Sequence, residues 1–393
     1  MKRQTIAINT PYVRPDAYGS LAIPIYNNVA FEFQDAQEMA DAFCNRIKAP
    51  DYSRVENPTV TNLEQRVKSL TGAEHVTAFN SGMAAISNTL LSVASQGKNI
   101  VTSHHLFGNT LALLSNTLQR YGVETRLRDL TDLQVVEEAI DGNTCCVFLE
   151  VLTNPQLEVA DLKALAQIAH SKGIPLIADS TAIPFTETTL KLLGVDIEVV
   201  SSTKYVSGGG TSLGGLVIDY GTFPDINQRL KYEMLFNLGA YMTPQAAYMQ
   251  TLGLETLDAR YQRQAANALL IAETLHDTGA VRRVNYIGLK DNPYYDLARK
   301  QFGETSGAML TIDLASKEAC FRFLNRLRIV HRATNLFDNR TLAIHPASTI
   351  FGLFPEEQLE QMDVRQTTIR LSVGLEAAED IINDIQQALQ DDL

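Results

Sequence analysis

What this 393-residue sequence lacks narrows the field first. It has no run of eighteen apolar residues, so no transmembrane helix is expected. Basic residues are scarce: 33 Lys and Arg stand against 45 Asp and Glu, for a formal net charge of −12. A nucleic-acid binder gathers Lys and Arg to neutralise phosphates, so this balance argues against that class. The four cysteines, Cys44, Cys145, Cys146 and Cys320, form no CxxC pair and read as buried thiols of a reducing cytoplasm. The N-terminus turns polar before any apolar stretch, so a signal peptide is not expected and a cytoplasmic location is. No GxxxxGK[ST] occurs, which removes the Walker loop. No internal repeat or low-complexity segment stands out, and no residue set reads as a metal site.

What is present is ordinary for a large globular protein. Hydrophobic residues are 45% and charged residues 20%, close to the folded-protein average. The length predicts two to three domains, or one large domain with a smaller one appended. Residues 1–60 read as an irregular arm punctuated by Pro11, Pro15, Pro24, Pro50 and Pro58, with one short helix near 36–47. Such an arm is often a device for gripping another subunit. Residues 61–250 form a first domain in which helices (61–70, 83–94, 110–121, 162–172) alternate with short apolar strands (99–102, 145–150, 175–179, 197–201, 216–219). That alternation means crossovers and a mostly parallel sheet, with ligands expected off the carboxyl ends of its strands. Asn154, Asp179 and Lys204 all fall at such ends. A long helix over 244–273 leads into a smaller C-terminal α+β domain, residues 251–393. It has strands near 308–313 and 369–373 and helices near 319–327 and 378–389.

The densest unusual segment runs from Ser201-Ser202-Thr203-Lys204-Tyr205 to Gly210-Thr211-Ser212-Leu213-Gly214-Gly215. It sets a lysine after a strand, behind three hydroxyl residues and ahead of five glycines. Such a lysine can act as a Schiff-base nucleophile, and the hydroxyls and glycine amides can hold a phosphate. A surface lysine beside a flexible loop is the alternative. Ser201-x-x-Lys204 also fits the SxxK of serine acyl-enzymes, but its SDN and KTG partners are missing. Asp179 ends the apolar run Pro175-Leu176-Ile177-Ala178 and could hold a pyridinium N–H, or merely cap a strand. Ser81-Gly82-Met83 opens a helix, whose N-terminal amides are a natural phosphate seat; a plain N-cap serine is the alternative.

Taken in order, these segments resemble the Cys/Met-metabolism pyridoxal phosphate (PLP)-dependent family, from about residue 18 to the C-terminus. The resemblance is carried by Tyr52-Ser53-Arg54-Val55-Glu56-Asn57-Pro58-Thr59, Ser81-Gly82-Met83-Ala84-Ala85, Asn154-Pro155 and Asp179-Ser180-Thr181. To these add Ser201-Ser202-Thr203-Lys204-Tyr205, His345-Pro346-Ala347-Ser348 and Ile369-Arg370-Leu371-Ser372-Val373-Gly374. It implies a fold-type I, aminotransferase-like α/β architecture with residues 61–250 as the PLP-binding domain. A homotetramer built as a dimer of dimers is implied too. By the same resemblance Lys204 carries PLP as a Schiff base and Asp179 binds the pyridine nitrogen. Ser201, Thr203 and the amides of Gly82 and Met83 bind the phosphate, and Thr181 lies against the cofactor. Tyr52 and Arg54 reach the neighbouring subunit's phosphate. Asn154 sits beside the phenolic oxygen, and Arg370 clamps the substrate α-carboxylate with Asn335 close by.

Within the family, Gly210-Thr211-Ser212-Leu213-Gly214-Gly215 resembles the GTS-x-GG loop of O-acetylhomoserine sulfhydrylases. Asn237-Leu238-Gly239-Ala240 and Gly253-Leu254-Glu255-Thr256-Leu257 point the same way. The main departure is Phe107, in Leu106-Phe107-Gly108-Asn109-Thr110, where the family usually has tyrosine. The ring can still stack on the cofactor, but the hydroxyl that helps protonate a leaving group is gone. Acetate leaves as a carboxylate whose conjugate acid has a pKa of roughly 4, whereas a thiolate's is about 8.5. An ester substrate therefore needs little acid help. The expected reaction is γ-replacement on O-acyl-L-homoserine, O-acetyl foremost, with sulfide or a small thiol, giving homocysteine or methionine. Elimination of the methionine γ-lyase type, or a cystathionine-type reaction, is the alternative. Val200 stands where many relatives have histidine, a change without an assigned consequence.

Overall fold

The apolar strand segments pair into one seven-stranded sheet. Its strands are β1 (His75–Phe79), β2 (Asn99–Ser103), β3 (Glu124–Arg128), β4 (Thr144–Glu150), β5 (Leu176–Asp179), β6 (Ile197–Val200) and β7 (Gly215–Asp219). Their order is β1-β7-β6-β5-β4-β2-β3. Only β7 runs against the rest, pairing antiparallel with both β1 and β6. The computed structural model describes residues 1–11 and 16–390; Pro15 of the expected arm lies outside them.

The central strands are apolar on both faces because helices cover both. Leu176 and Ala178 of β5 point into one buried cluster and Ile177 into another. The helices start where their caps predict. Asn57 accepts Thr59 N–H ahead of Pro58–Thr71, and Asp161 accepts Ala164 N–H ahead of Leu162–Ser171.

A second sheet of five strands follows, in the order β10-β11-β12-β9-β8. Its strands are β8 (Arg283–Asn285), β9 (Met309–Asp313), β10 (His331–Arg332), β11 (Leu342–Ile344) and β12 (Thr368–Ser372). The helix Pro244–Thr278 joins the two halves and packs on Pro58–Thr71, on Ala378–Leu389 and on β8 and β9. Residues 250 and 251, where the domain boundary is expected, lie inside this one helix. Among the described residues no helix is long and apolar enough to cross a membrane.

Two segments depart from expectation. The arm does not begin as an irregular strand of chain. Arg3–Asn9 is a helix packed on this chain's own Pro58–Thr71 and Pro244–Thr278, and buried Arg66 donates to Ala7 O at 2.6 Å. The helix expected over 110–121 is three pieces: an α-turn Gly108–Ala112, a π-turn Leu113–Thr117 and a 3-10 turn Leu118–Tyr121.

Candidate active site

The parallel strands β4, β5 and β6 end side by side, and their last residues set the floor of the site. Glu150 and Asp179 face each other in register, and Val200 leads directly into Ser201–Lys204. Hydrogen bonds lock this edge. Thr181 N–H donates to Asp179 Oδ1 at 2.9 Å, Ser201 N–H to Thr181 Oγ1 at 2.8 Å, and Lys204 N–H to Ser201 O at 3.1 Å. The chain beyond Lys204 is pinned as firmly. Arg260 donates to Tyr205 O at 2.8 Å and to Gly253 O at 2.6 Å, while the Tyr205 ring stacks on Phe337 at 3.9 Å.

Lys204 Nζ donates to Asn335 Oδ1 at 2.8 Å, and Asn335 Nδ2 donates to Asp338 Oδ2 at 3.1 Å. Burial, helped by the Arg370 charge and opposed by Asp338, pushes the Lys204 ammonium down to about 8. Arg370, on β12, is only 2% exposed. It donates to Asn154 Oδ1 at 3.0 Å and to the Thr334 and Asn335 carbonyls at 3.1 and 3.4 Å, and its Nε has no partner among the described residues. Burial lowers it to about 9. A buried guanidinium whose partners are all neutral is poised for an anion such as a carboxylate. Thus Lys204, Asn335, Arg370 and Asn154, far apart in sequence, form one connected network.

The same edge offers a seat for a phosphate. Ser81 caps the helix Gly82–Val93, its side chain accepting Ala84 N–H at 3.1 Å, and Ala85 N–H bonds Ser81 O. That leaves the Gly82 and Met83 amides for an anion. A Cβ on Gly82 would lie 2.5 Å from Ser201 Cβ, so only glycine lets this helix end approach Ser201. Met83 itself packs against Thr110, whose hydroxyl points to its sulfur at 3.9 Å. Thr203 is less free: its hydroxyl accepts Gly214 N–H at 3.0 Å. A helix end bordered by hydroxyls, a lysine of lowered pKa and a buried carboxylate on one sheet edge are the donor set that PLP requires, so the residues fit that cofactor.

Tyr52 and Arg54 are not part of this cluster. Arg54 donates to Phe236 O at 2.5 Å and lies over the Tyr52 ring, 5.4 Å from its centroid. Phe107 precedes Gly108–Ala112 and donates its N–H to Glu150 Oε1 at 2.5 Å. Sequence reasoning passed over Glu150, although the signal was the one that marked Asp179: a carboxylate closing an apolar strand. Burial holds the Asp179 carboxyl above its usual range. Burial and then the Asp179 charge push Glu150 up to about 8, against the Phe107 and Asn154 N–H groups. A cavity of about 480 Å³ opens beside Asn335, lined also by His331, Arg332, Asp338 and Arg340.

Known proteins are similar to this chain over most of its length. An L-methionine gamma-lyase of Fusobacterium nucleatum is 39% identical over 95% of this chain and 94% of its own. An O-acetyl-L-homoserine sulfhydrylase of Corynebacterium glutamicum is 34% identical over 93% and 91%. A solved Campylobacter jejuni structure, a candidate O-acetylhomoserine (thiol)-lyase, superposes with a TM-score of 0.95 at 33% identity. It covers 99% of this chain and 100% of its own, and it holds a pyridoxyl-lysine phosphate. The profile of the Cys/Met metabolism PLP-dependent enzymes matches residues 4–390. The chain belongs to that family, and its cofactor is pyridoxal phosphate.

Proposed function

We propose that the chain catalyses γ-replacement on O-acyl-L-homoserine, O-acetyl foremost, with sulfide or a small thiol. The single observation that carries this reading is Phe107. Its N–H is fixed to Glu150, beside Asp179, yet its side chain offers no proton. A site without an acid at that position suits a leaving group that departs as a carboxylate.

Pyridoxal phosphate, when bound, supplies the electron sink for carbanions at the substrate Cα and Cβ. Lys204 holds it, with the Gly82 and Met83 amides, Ser201 and Thr203 toward its phosphate, Thr181 alongside and Asp179 holding the ring-nitrogen proton. Arg370 binds the substrate α-carboxylate through its two terminal nitrogens, and Asn335 keeps Lys204 facing that end. Lys204 Nζ takes the Cα proton and later returns a proton to carbon; its lowered pKa makes the neutral amine available near pH 8. The Cγ–O bond breaks with its electron pair leaving on acetate, a Cγ–S bond forms to the incoming thiolate, and homocysteine or its S-alkyl derivative is released.

A second reading is methionine γ-lyase-like elimination, favoured by the 39% identity to the Fusobacterium nucleatum enzyme. Product analysis separates the two. Homocysteine from O-acetylhomoserine and sulfide, outpacing O-succinylhomoserine, is the expected result. Faster release of 2-oxobutyrate and ammonia from methionine alone would move the protein to the lyase branch.

A further inference from the structure

Two carboxylic side chains end neighbouring strands under the site, and only Asp179 has a role above. Glu150 is 7% exposed and Asp179 9%, and register puts both on one face of the sheet. Glu150 accepts Phe107 N–H at 2.5 Å and also the Asn154 N–H. One carboxyl group therefore ties together the loop that presents Phe107 and the loop that presents Asn154, and Asn154 in turn holds Arg370.

The charges around the pair are one-sided. Glu198 of β6 pairs in register with Ala178, which puts it on the opposite face, where Ser180 and Tyr220 donate to it. Lys204 and Arg370 bond to Asn335 and Asn154, and among the described residues no cation is a hydrogen-bond partner of Glu150. Two adjacent buried carboxyls without a cation between them do not both ionise.

We infer that Glu150 is a positioning residue: it keeps its proton, anchors the Phe107 and Asn154 main chain, and leaves Asp179 as the carboxylate facing the ring nitrogen of the cofactor. The upward displacement of Glu150 to about 8, from burial first and Asp179 second, agrees with this assignment. The inference rests on the proposed seating of PLP over Asp179 and Lys204.

The test titrates ligand-free wild type, Glu150→Gln, Glu150→Leu and Lys204→Ala with PLP, following visible absorbance against pH. Glu150→Gln is a neutral isostere that keeps an acceptor. It should bind PLP within about threefold of wild type, and its absorbance should titrate as wild type does below pH ~7. Glu150→Leu loses both acceptor contacts and should bind PLP at least about tenfold more weakly. A Glu150→Gln titration displaced by about one pH unit at neutral pH would mean that wild-type Glu150 is ionised, and would overturn the inference. Wild-type affinity in a folded Glu150→Leu would overturn it as well; if that variant does not fold, Glu150→Gln decides alone. Lys204→Ala is the control. Visible lysine-bound absorbance surviving there defeats the seating of the cofactor, whereas its loss beside unaltered Glu150 variants defeats only the role of Glu150.

Discussion

At Phe107 the side chain and the main chain do separate jobs. The N–H anchors the loop to Glu150, so replacing the ring with tyrosine leaves that hydrogen bond in place. Phe107→Tyr should therefore change O-acetylhomoserine turnover little, since carboxylate departure needs no proton. It should raise activity on thioether substrates, where well-placed acid help is worth ~10²–10⁴-fold. Steady-state kinetics on O-acetylhomoserine and cystathionine check this, and efficient wild-type cleavage of cystathionine contradicts it. Arg370 permits a second prediction. Its three acceptors are an amide and two carbonyls, so a substrate carboxylate would be its first anionic partner. Arg370→Ala removes charge-assisted bonds of about 1.5–3 kcal/mol, so KM should rise by about ten- to a hundredfold. Lys204 adds a pH signature. Its folded value of about 8 lies below the ordinary 10.5, and only the neutral amine attacks a carbonyl. PLP capture by the ligand-free chain should accelerate as pH rises through 8 and then level off. A rise continuing to 10.5 would show an unperturbed, solvated lysine.

At the scale of elements, the sequence exposes those whose burial leaves a mark. β5 is an apolar run closed by Asp179, and β6, apolar but for buried Glu198, leads through Ser201-Ser202-Thr203 to Lys204. Polar residues at or just past such strand ends mark the site edge, which made Asp179 and Lys204 legible. β3 reads Glu-Thr-Arg-Leu-Arg because it is the edge strand, and β8, β10 and β11 span only two or three residues, too short for any period to emerge. In 110–121 the buried Leu111, Leu114 and Leu118 keep a helical spacing. The slip into π and 3-10 turns lies in the main-chain hydrogen bonds, which apolar periodicity does not record. The contact network Lys204–Asn335–Arg370–Asn154 was legible only through family resemblance, since its members are separated by up to 216 positions. Gly82 tests how tightly two elements must meet. A methyl there would come within 2.5 Å of Ser201 Cβ and 2.9 Å of Ser201 Cα. Gly82→Ala should force the helix end off β6 at a cost of about 1–3 kcal/mol, seen as a lower melting temperature and weaker PLP binding. Wild-type PLP affinity in this variant would show that the helix end is not the phosphate seat.

For the whole molecule, the arm bears on assembly. Its first helix stays on its own subunit, yet Tyr18 and Leu21 are 96% and 99% exposed, and Val29 and Phe43 are exposed too. We propose that a second copy of the chain covers this apolar segment. Arg54 and Tyr52 face each other and Phe236 rather than this chain's Lys204. If they complete the neighbour's phosphate site, each active site needs Lys204 from one chain and Arg54 from another. Lys204→Ala should be inactive, and Arg54→Ala should bind PLP weakly and turn over slowly. Mixing the two variants under conditions that let subunits exchange should then restore activity. A mixed dimer holds one site with both residues and one with neither. Random pairing at equal concentrations makes half the dimers mixed, so about a quarter of all sites recover. Recovery should rise with exchange time and reach its ceiling at equal proportions. If Arg54 serves its own chain's Lys204, the mixed dimer has no complete site and activity stays at the level of Arg54→Ala alone, however long the exchange.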